Sequence, residues 1–128
     1  MPLADRAAIF AGVAAAAPRA IVHCGAATNV DGCEGDALGA YRVNALGTAW
    51  LAEAAAAHGC ELLYVSTDFV FDGSAATPYP VDAPTRPLSV YGASKRLGEE
   101  AVLAHGRHGF RVVRTSWVFG PGGRNFPK

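Results

Sequence analysis

Glu61-Leu-Leu-Tyr-Val-Ser-Thr-Asp68 is the stretch that decides the fold. Glu61 to Ser66 reads as a short apolar strand, and the run closes on three polar residues, Ser66-Thr67-Asp68. Upstream, Asp36 to His58 reads as a long helix stopped at Gly59, a residue suited to the left-handed turn that ends helices. Before it, the polar stretch Gly25 to Gly35 reads as a loop. Ala20-Ile-Val-His-Cys24 suits a strand buried on both faces. Ala4 to Ala17 is Ala-rich and helix-prone up to Pro18. Downstream, a long loop from Thr67 to Ser89 carries Pro78, Pro80, Pro84 and Pro87. Loops of that length in a compact domain usually have a function. A helix from Tyr91 to His105 and a strand from Phe110 to Ser116 follow, and the tail from Trp117 to Lys128 has no regular pattern.

Alternating helices and strands predict an α/β architecture in a single domain over residues 1–128. The sheet is expected to be a partial, Rossmann-like, doubly wound parallel sheet with helices on both faces and right-handed crossovers. Ligands of such sheets bind beyond the carboxyl ends of the strands. Those ends fall at Cys24 to Thr28, at Ser66 to Asp68 and at Thr115 to Trp117, so all three loops open on one edge. Tyr91 begins the helix reached from the second of them.

The composition sets bounds. The chain has 128 residues, 51% hydrophobic and 17% charged, with zero formal net charge. That fits a soluble globular domain with a real core, and nothing in it steers the chain to nucleic acid or an anionic membrane. No basic start precedes an apolar stretch, and the Ala-rich runs are broken by Pro, His, Gly or charge. Neither a signal peptide nor a membrane span is expected. Cys24, Cys33 and Cys60 are odd in number and lack metal-ligand spacing. They are expected to be reduced thiols in a cytoplasmic protein that holds no metal.

Val90-Tyr-Gly-Ala-Ser-Lys95 places Tyr91 and Lys95 one helical turn apart, on one face. A neighbouring ammonium favours phenolate and is expected to lower the Tyr91 pKa from about 10. A phenol tuned in this way can give or take a proton near neutral pH, as oxidation of an alcohol or reduction of a ketone requires.

Val65-Ser-Thr-Asp-Phe-Val-Phe-Asp-Gly73, Pro78-Tyr79, Pro87-Leu88, Val90 to Lys95, Gly98-Glu-Glu100, Arg114-Thr-Ser-Trp-Val-Phe-Gly120 and Asn44-Ala-Leu-Gly-Thr48 occur here in order. Together they resemble the dTDP-4-dehydrorhamnose reductase family of the extended short-chain dehydrogenase/reductase superfamily, over nearly the whole chain. The resemblance implies reduction of the C4 keto group of a dTDP-4-dehydro-6-deoxy sugar by NADPH or NADH, in rhamnose or deoxysugar synthesis for cell-surface polysaccharide. It implies that Tyr91 is the proton donor, that Lys95 holds the nicotinamide ribose, and that Thr67 bonds the reacting oxygen. It implies further that Ala26, Ala27 and Thr28 line the cofactor, and that Asp68 and Trp117 contact the nucleotide sugar. A homodimer is compatible with it. Structural roles compete for several of these residues: Thr67 as a strand-end cap, Asp68 as a turn residue, Trp117 as packing, and Asn44 as a backbone-binding residue within its helix. The histidines have no partner visible in sequence.

The chain departs from the family pattern in one large respect. It has no Gly-x-Gly-x-x-Gly turn, and Gly120-Pro-Gly-Gly123 lies too near the end for a helix to follow. An internal fragment is therefore expected, lacking the first strand, its Gly-rich turn and the C-terminal substrate region. Alone it should grip a dinucleotide weakly. In addition, Phe69 stands where the family often has Tyr. Other readings remain: an NAD-dependent nucleotide-sugar epimerase or dehydratase, a non-catalytic regulatory relative that binds nucleotide, or an inactive fragment. Phe69 after Asp68, in place of the acidic pair of the dehydratases, leans towards the reductase.

Overall fold

A computed structural model describes residues 1–120; the glycine-rich run expected at Gly120 to Gly123 falls largely outside the described residues. Helix α1 (Arg6–Ala16) starts where the Asp5 side chain accepts a hydrogen bond from the Ala8 N–H. It ends at Ala17, whose left-handed φ of 42° turns the chain into Pro18. Strand β1 (Ala20–His23) follows. The stretch expected as a loop then contains a short helix, α2 (Val30–Gly35). Two glycines at Gly32 and Gly35 hide it in the sequence. The Asn29 carboxamide, capping the Gly32 N–H at 3.0 Å, nucleates it.

The long helix expected from Asp36 to His58 is one rod in three segments. These are α3 (Ala37–Tyr41), a π-helical turn (Arg42–Gly47) and α4 (Thr48–Ala57). Strand β2 (Glu61–Thr67) leads into a single 3₁₀ turn, Asp68–Val70. Helix α5 (Val90–Leu103), capped by Ser89, precedes strand β3 (Phe110–Thr115).

The three strands pair in parallel in the order β1-β2-β3, with Tyr64 beside His23 and Thr67 beside Thr115. The expected parallel sheet stands, but among the described residues its helices pack on one face only. Leu62, Tyr64 and Phe110 join Ile9 and Val13 of α1, Leu51, Ala52, Ala54 and Ala55 of α4 and Val102 of α5 in one core. Alternate strand residues, Val22 and Val113, are exposed on the other face. The reason is geometric. Strands laid down in sequence order through right-handed crossovers put every connecting helix on the same side.

Two glycines set the distance between α5 and the sheet edge. A Cβ on Gly92 would fall 2.2 Å from the Phe69 carbonyl oxygen, and one on Gly98 would fall 2.6 Å from both the Tyr64 hydroxyl and the Asn44 carbonyl. Their absent side chains let α5 lie against the 3₁₀ turn and against β2, which brings Tyr91 and Lys95 to the strand ends.

The long loop after β2 is pinned at several points. The Phe71 and Tyr79 rings stack at 4.2 Å, and the Tyr79 hydroxyl donates to Asp72 at 2.8 Å. Arg114 grips the 3% exposed Glu99 with two hydrogen bonds, at 2.9 and 2.6 Å, while its guanidinium lies over Phe71 at 4.9 Å. Such a bidentate pair is strong because both groups are charged and the fork geometry matches.

Candidate functional site

The three strand-end loops meet as expected. They enclose an open cavity of about 520 Å³, whose walls include Ala26, Thr28, Thr67, Asp68, Tyr91, Lys95 and Trp117. Seven of the eight residues singled out in sequence therefore share one space. Ala27 does not line it. Its peptide is turned to Asn44 instead, whose Oδ1 accepts from the Ala27 N–H at 2.8 Å and whose Nδ2 donates to the Ala27 carbonyl at 3.1 Å.

Lys95 is only 2% exposed. Its ammonium donates to the Val65 carbonyl at 2.8 Å and lies 4.1 Å from the centre of the Tyr64 ring. Burial lowers its pKa to about 8, against the opposing pull of Glu99. The cation is therefore poised near the pH at which it would lose its proton.

Tyr91 corrects an expectation. Its pKa stands above the ordinary phenol value: burial pushes it up, a hydrogen bond with Thr67 pulls it back, and the Asp68 carboxylate pushes it up again. The expected depression by Lys95 is not seen. Sharing a helix face was not enough, because the ammonium is bound to the Val65 carbonyl and the Tyr64 ring. Tyr91 is accordingly a protonated phenol at neutral pH, the form that can donate to a carbonyl oxygen. Its ring is held edge-on to Phe69, with centroids 5.5 Å apart.

Thr67 has several partners. Its Oγ1 accepts from the Phe69 N–H, capping the 3₁₀ turn, and donates to Asp68 Oδ1, each at 3.2 Å. The capping role weighed in sequence and a place at the cavity wall are thus compatible. The other Asp68 oxygen accepts from the Ser116 hydroxyl at 2.7 Å, tying the end of β2 to the end of β3. Trp117 is 71% exposed and holds a left-handed φ of 51° where it meets the cavity. Cys24, Ser66 and Phe69 also line the cavity, and the buried Ser66 hydroxyl has no hydrogen-bond partner among the described residues. Only their position after apolar strands could have flagged them.

Behind the cavity lies a buried polar chain that sequence reasoning did not assemble. Asn44, fully buried in the π-helical turn, also donates to Ser94 Oγ at 3.0 Å, and Ser94 donates to the Tyr91 carbonyl at 2.8 Å. A π turn widens the helix by one residue and turns a side chain inward, a device frequent at functional sites. Thr48 donates to the Asn44 carbonyl at 2.7 Å, which leaves its oxygen to accept from His23 Nε2 at 3.0 Å.

His23 is thereby held neutral. Burial, and secondly the charge of Lys95, lower its pKa to about 4. In an unfolded chain it would titrate near 6.5. Between those values the unfolded state binds a proton that the folded state refuses, so stability is complete above about pH 6.5 and falls towards pH 4. The loss is expected to be at most on the order of 3 kcal/mol. Urea midpoints of the native protein and His23→Gln, measured at about pH 7.5 and about pH 4.5, check it. The variant should lose most of the acid sensitivity; an equal loss in both proteins would assign it to other groups.

Among the described residues no cluster of His, Cys, Asp and Glu could hold a metal ion, and no helix is long and apolar enough to cross a membrane.

Known proteins are similar to this chain in sequence and fold. A dTDP-4-dehydrorhamnose reductase of Streptomyces griseus is 44% identical over 126 residues, which cover 98% of this chain and 41% of that protein. A probable dTDP-4,6-dihydroxy-2-methyloxan-3-one 4-ketoreductase of Streptomyces antibioticus is 43% identical, over 93% of this chain and 40% of its own length. The crystal structure of dTDP-4-dehydrorhamnose reductase from Bacillus anthracis in complex with NADP superposes with a TM-score of 0.91 at 36% identity. It matches over 98% of this chain and 45% of that one. The chain thus spans about two fifths of the length of these curated relatives. A family model matches it over residues 1–128, and the chain belongs to the RmlD substrate binding domain family.

Proposed function

We propose that this chain carries the proton-donating half of a sugar-nucleotide reductase. The full-length protein would reduce the C4 keto group of a dTDP-4-dehydro-6-deoxy sugar, taking dTDP-4-dehydrorhamnose to dTDP-rhamnose. The observation that carries the reading is that Tyr91, Thr67 and the buried Lys95 line one cavity at the strand ends. The relatives named as reductases of dTDP sugars support it.

The wall fits a dinucleotide. Ala26 and Thr28 keep it narrow-sided, so a flat ligand can lie close to the backbone, and Lys95 offers donors suited to a ribose diol. A nicotinamide, NADPH or NADH, would supply the hydride when bound. The chain's own residues do the rest. Tyr91 would donate to the keto oxygen and polarise it, joined by Thr67 once its hydroxyl hydrogen turns from Asp68 to the substrate. Tyr91 gives its proton to that oxygen as negative charge develops there, while the ammonium of Lys95 keeps the nicotinamide ribose in place. Asp68 and Trp117 stand at the rim, where the nucleotide sugar would enter; an indole offers it a flat apolar face and one N–H donor.

On this reading residues 1–128 form one partial dinucleotide-binding domain, in a cytoplasmic protein that can pair as a homodimer. Incubating the full-length protein with NADPH and dTDP-4-dehydrorhamnose should consume the reduced nicotinamide in step with product. Turnover of the sugar with no net nicotinamide consumption would point to an epimerase or dehydratase instead.

A further inference from the structure

We propose that Tyr64 is a positioning residue for Lys95. Its ring face holds the buried ammonium beside the Val65 carbonyl, so that the remaining N–H donors serve the cavity. The proposal deepens the reductase reading and rests on it, since Lys95 has a reaction to serve only there.

A buried ammonium must find compensation, or it gives up its proton. The groups facing Lys95 are few. From its own helix come Tyr91 and Glu99, but both Glu99 oxygens are held by Arg114, at 2.9 and 2.6 Å. From β1 and the residue after it come His23, which is neutral, and Cys24. From β2 come the Val65 carbonyl at 2.8 Å and the Tyr64 ring at 4.1 Å. Among the described residues no carboxylate lies within ion-pair distance of Lys95. One carbonyl and one ring face therefore carry the charge. A ring face attracts a cation through its quadrupole within about 6 Å of the centroid, most strongly where water is excluded. The contact lies in the interior: Tyr64 is fully buried and Lys95 nearly so.

The ring is itself held on several sides. Tyr64 sits in the central strand, paired with His23 on one side and Val112 on the other. The His23 ring stacks on it at 5.1 Å. Gly98 allows α5 to come close enough for Lys95 to reach it. Its hydroxyl, by contrast, meets the Asn44 carbonyl only at 3.5 Å, the limit of a hydrogen bond. The π face is therefore the operative part.

The test uses the full-length protein with phenylalanine, 4-fluoro-, 3,5-difluoro- and 3,4,5-trifluorophenylalanine in place of Tyr64. Each fluorine drains the ring face at nearly constant volume, so packing is kept while the cation–π attraction fades. The Lys95 pKa, read by NMR of nitrogen-labelled lysine and identified by loss of the signal in Lys95→Arg, should fall stepwise by roughly one pH unit across the series. The NADPH dissociation constant should rise in the same order. A Lys95 pKa that stays level across the series overturns the positioning role, as does a pKa change that merely follows a falling melting temperature. This titration needs no turnover. Failure of the wild-type protein to reduce the keto sugar would instead count against the reductase reading.

Discussion

Tyr91→Phe in the full-length protein is expected to lower kcat for the keto sugar by roughly 10²- to 10⁴-fold, the usual range for loss of a positioned general acid. NADPH affinity should be nearly unchanged. The separation follows from the geometry. Phenylalanine keeps the ring that packs edge-on against Phe69 at 5.5 Å, so the start of α5 and the 3₁₀ turn keep their places. Lys95 is held by Val65 and Tyr64, not by the phenol, so its position does not depend on the lost hydroxyl. What disappears is the Tyr91 hydroxyl, the proton donor at the cavity wall. Steady-state rates beside a fluorescence titration of NADPH decide it. Turnover within a few-fold of wild type would remove Tyr91 from the reaction. A parallel loss of NADPH affinity would show that the hydroxyl is structural.

The parts that sequence made legible share one physical signal. Apolar runs ending in polar residues marked all three strands, and the carboxyl-end rule then brought Thr67, Tyr91 and Lys95 to one edge without any structure. The misses have equally physical causes. α2 was hidden because Gly32 and Gly35 have low helix propensity, and only the Asn29 cap and its packing hold the turn. The π turn at Asn44 leaves no mark in composition, since it changes where a side chain points and not how apolar the helix is. The Tyr91 pKa was misjudged because helical spacing fixes which residues share a face, while the ends of long side chains go where their partners are. For Lys95 those partners, Val65 and Tyr64, lie on a strand thirty positions away in sequence. The bidentate pair of Glu99 with Arg114 likewise joins a helix to the next strand, a contact that no local pattern encodes.

Asn44→Leu should be among the most damaging single changes outside the cavity wall, costing about 3–5 kcal/mol of stability. Leucine keeps the branching of the carboxamide, though its bulkier methyl groups add some overpacking to the loss of hydrogen bonds. The substitution removes an acceptor from the Ala27 N–H and donors from the Ala27 carbonyl and Ser94. Leaving a buried polar group unpaired costs about 1–3 kcal/mol, and water at the half-buried Ala27 recovers part of that. Asn44→Asp is no remedy: it keeps an acceptor for Ala27 but loses both donors and brings a charge into a fully buried site. The same three bonds join the loop after β1 to the start of α5, because Ser94 passes the contact on to the Tyr91 carbonyl. Loss of Asn44 should therefore do more than lower the urea midpoint. At temperatures where the variant is still folded, NADPH should bind more weakly as Ala26 and Thr28 lose their anchor, and kcat should fall as Tyr91 loses its register with Thr67. A Leu variant within about 1 kcal/mol of wild type would show that water replaces the carboxamide without loss. A stable variant with impaired turnover would show that the site needs this linkage more than the fold does.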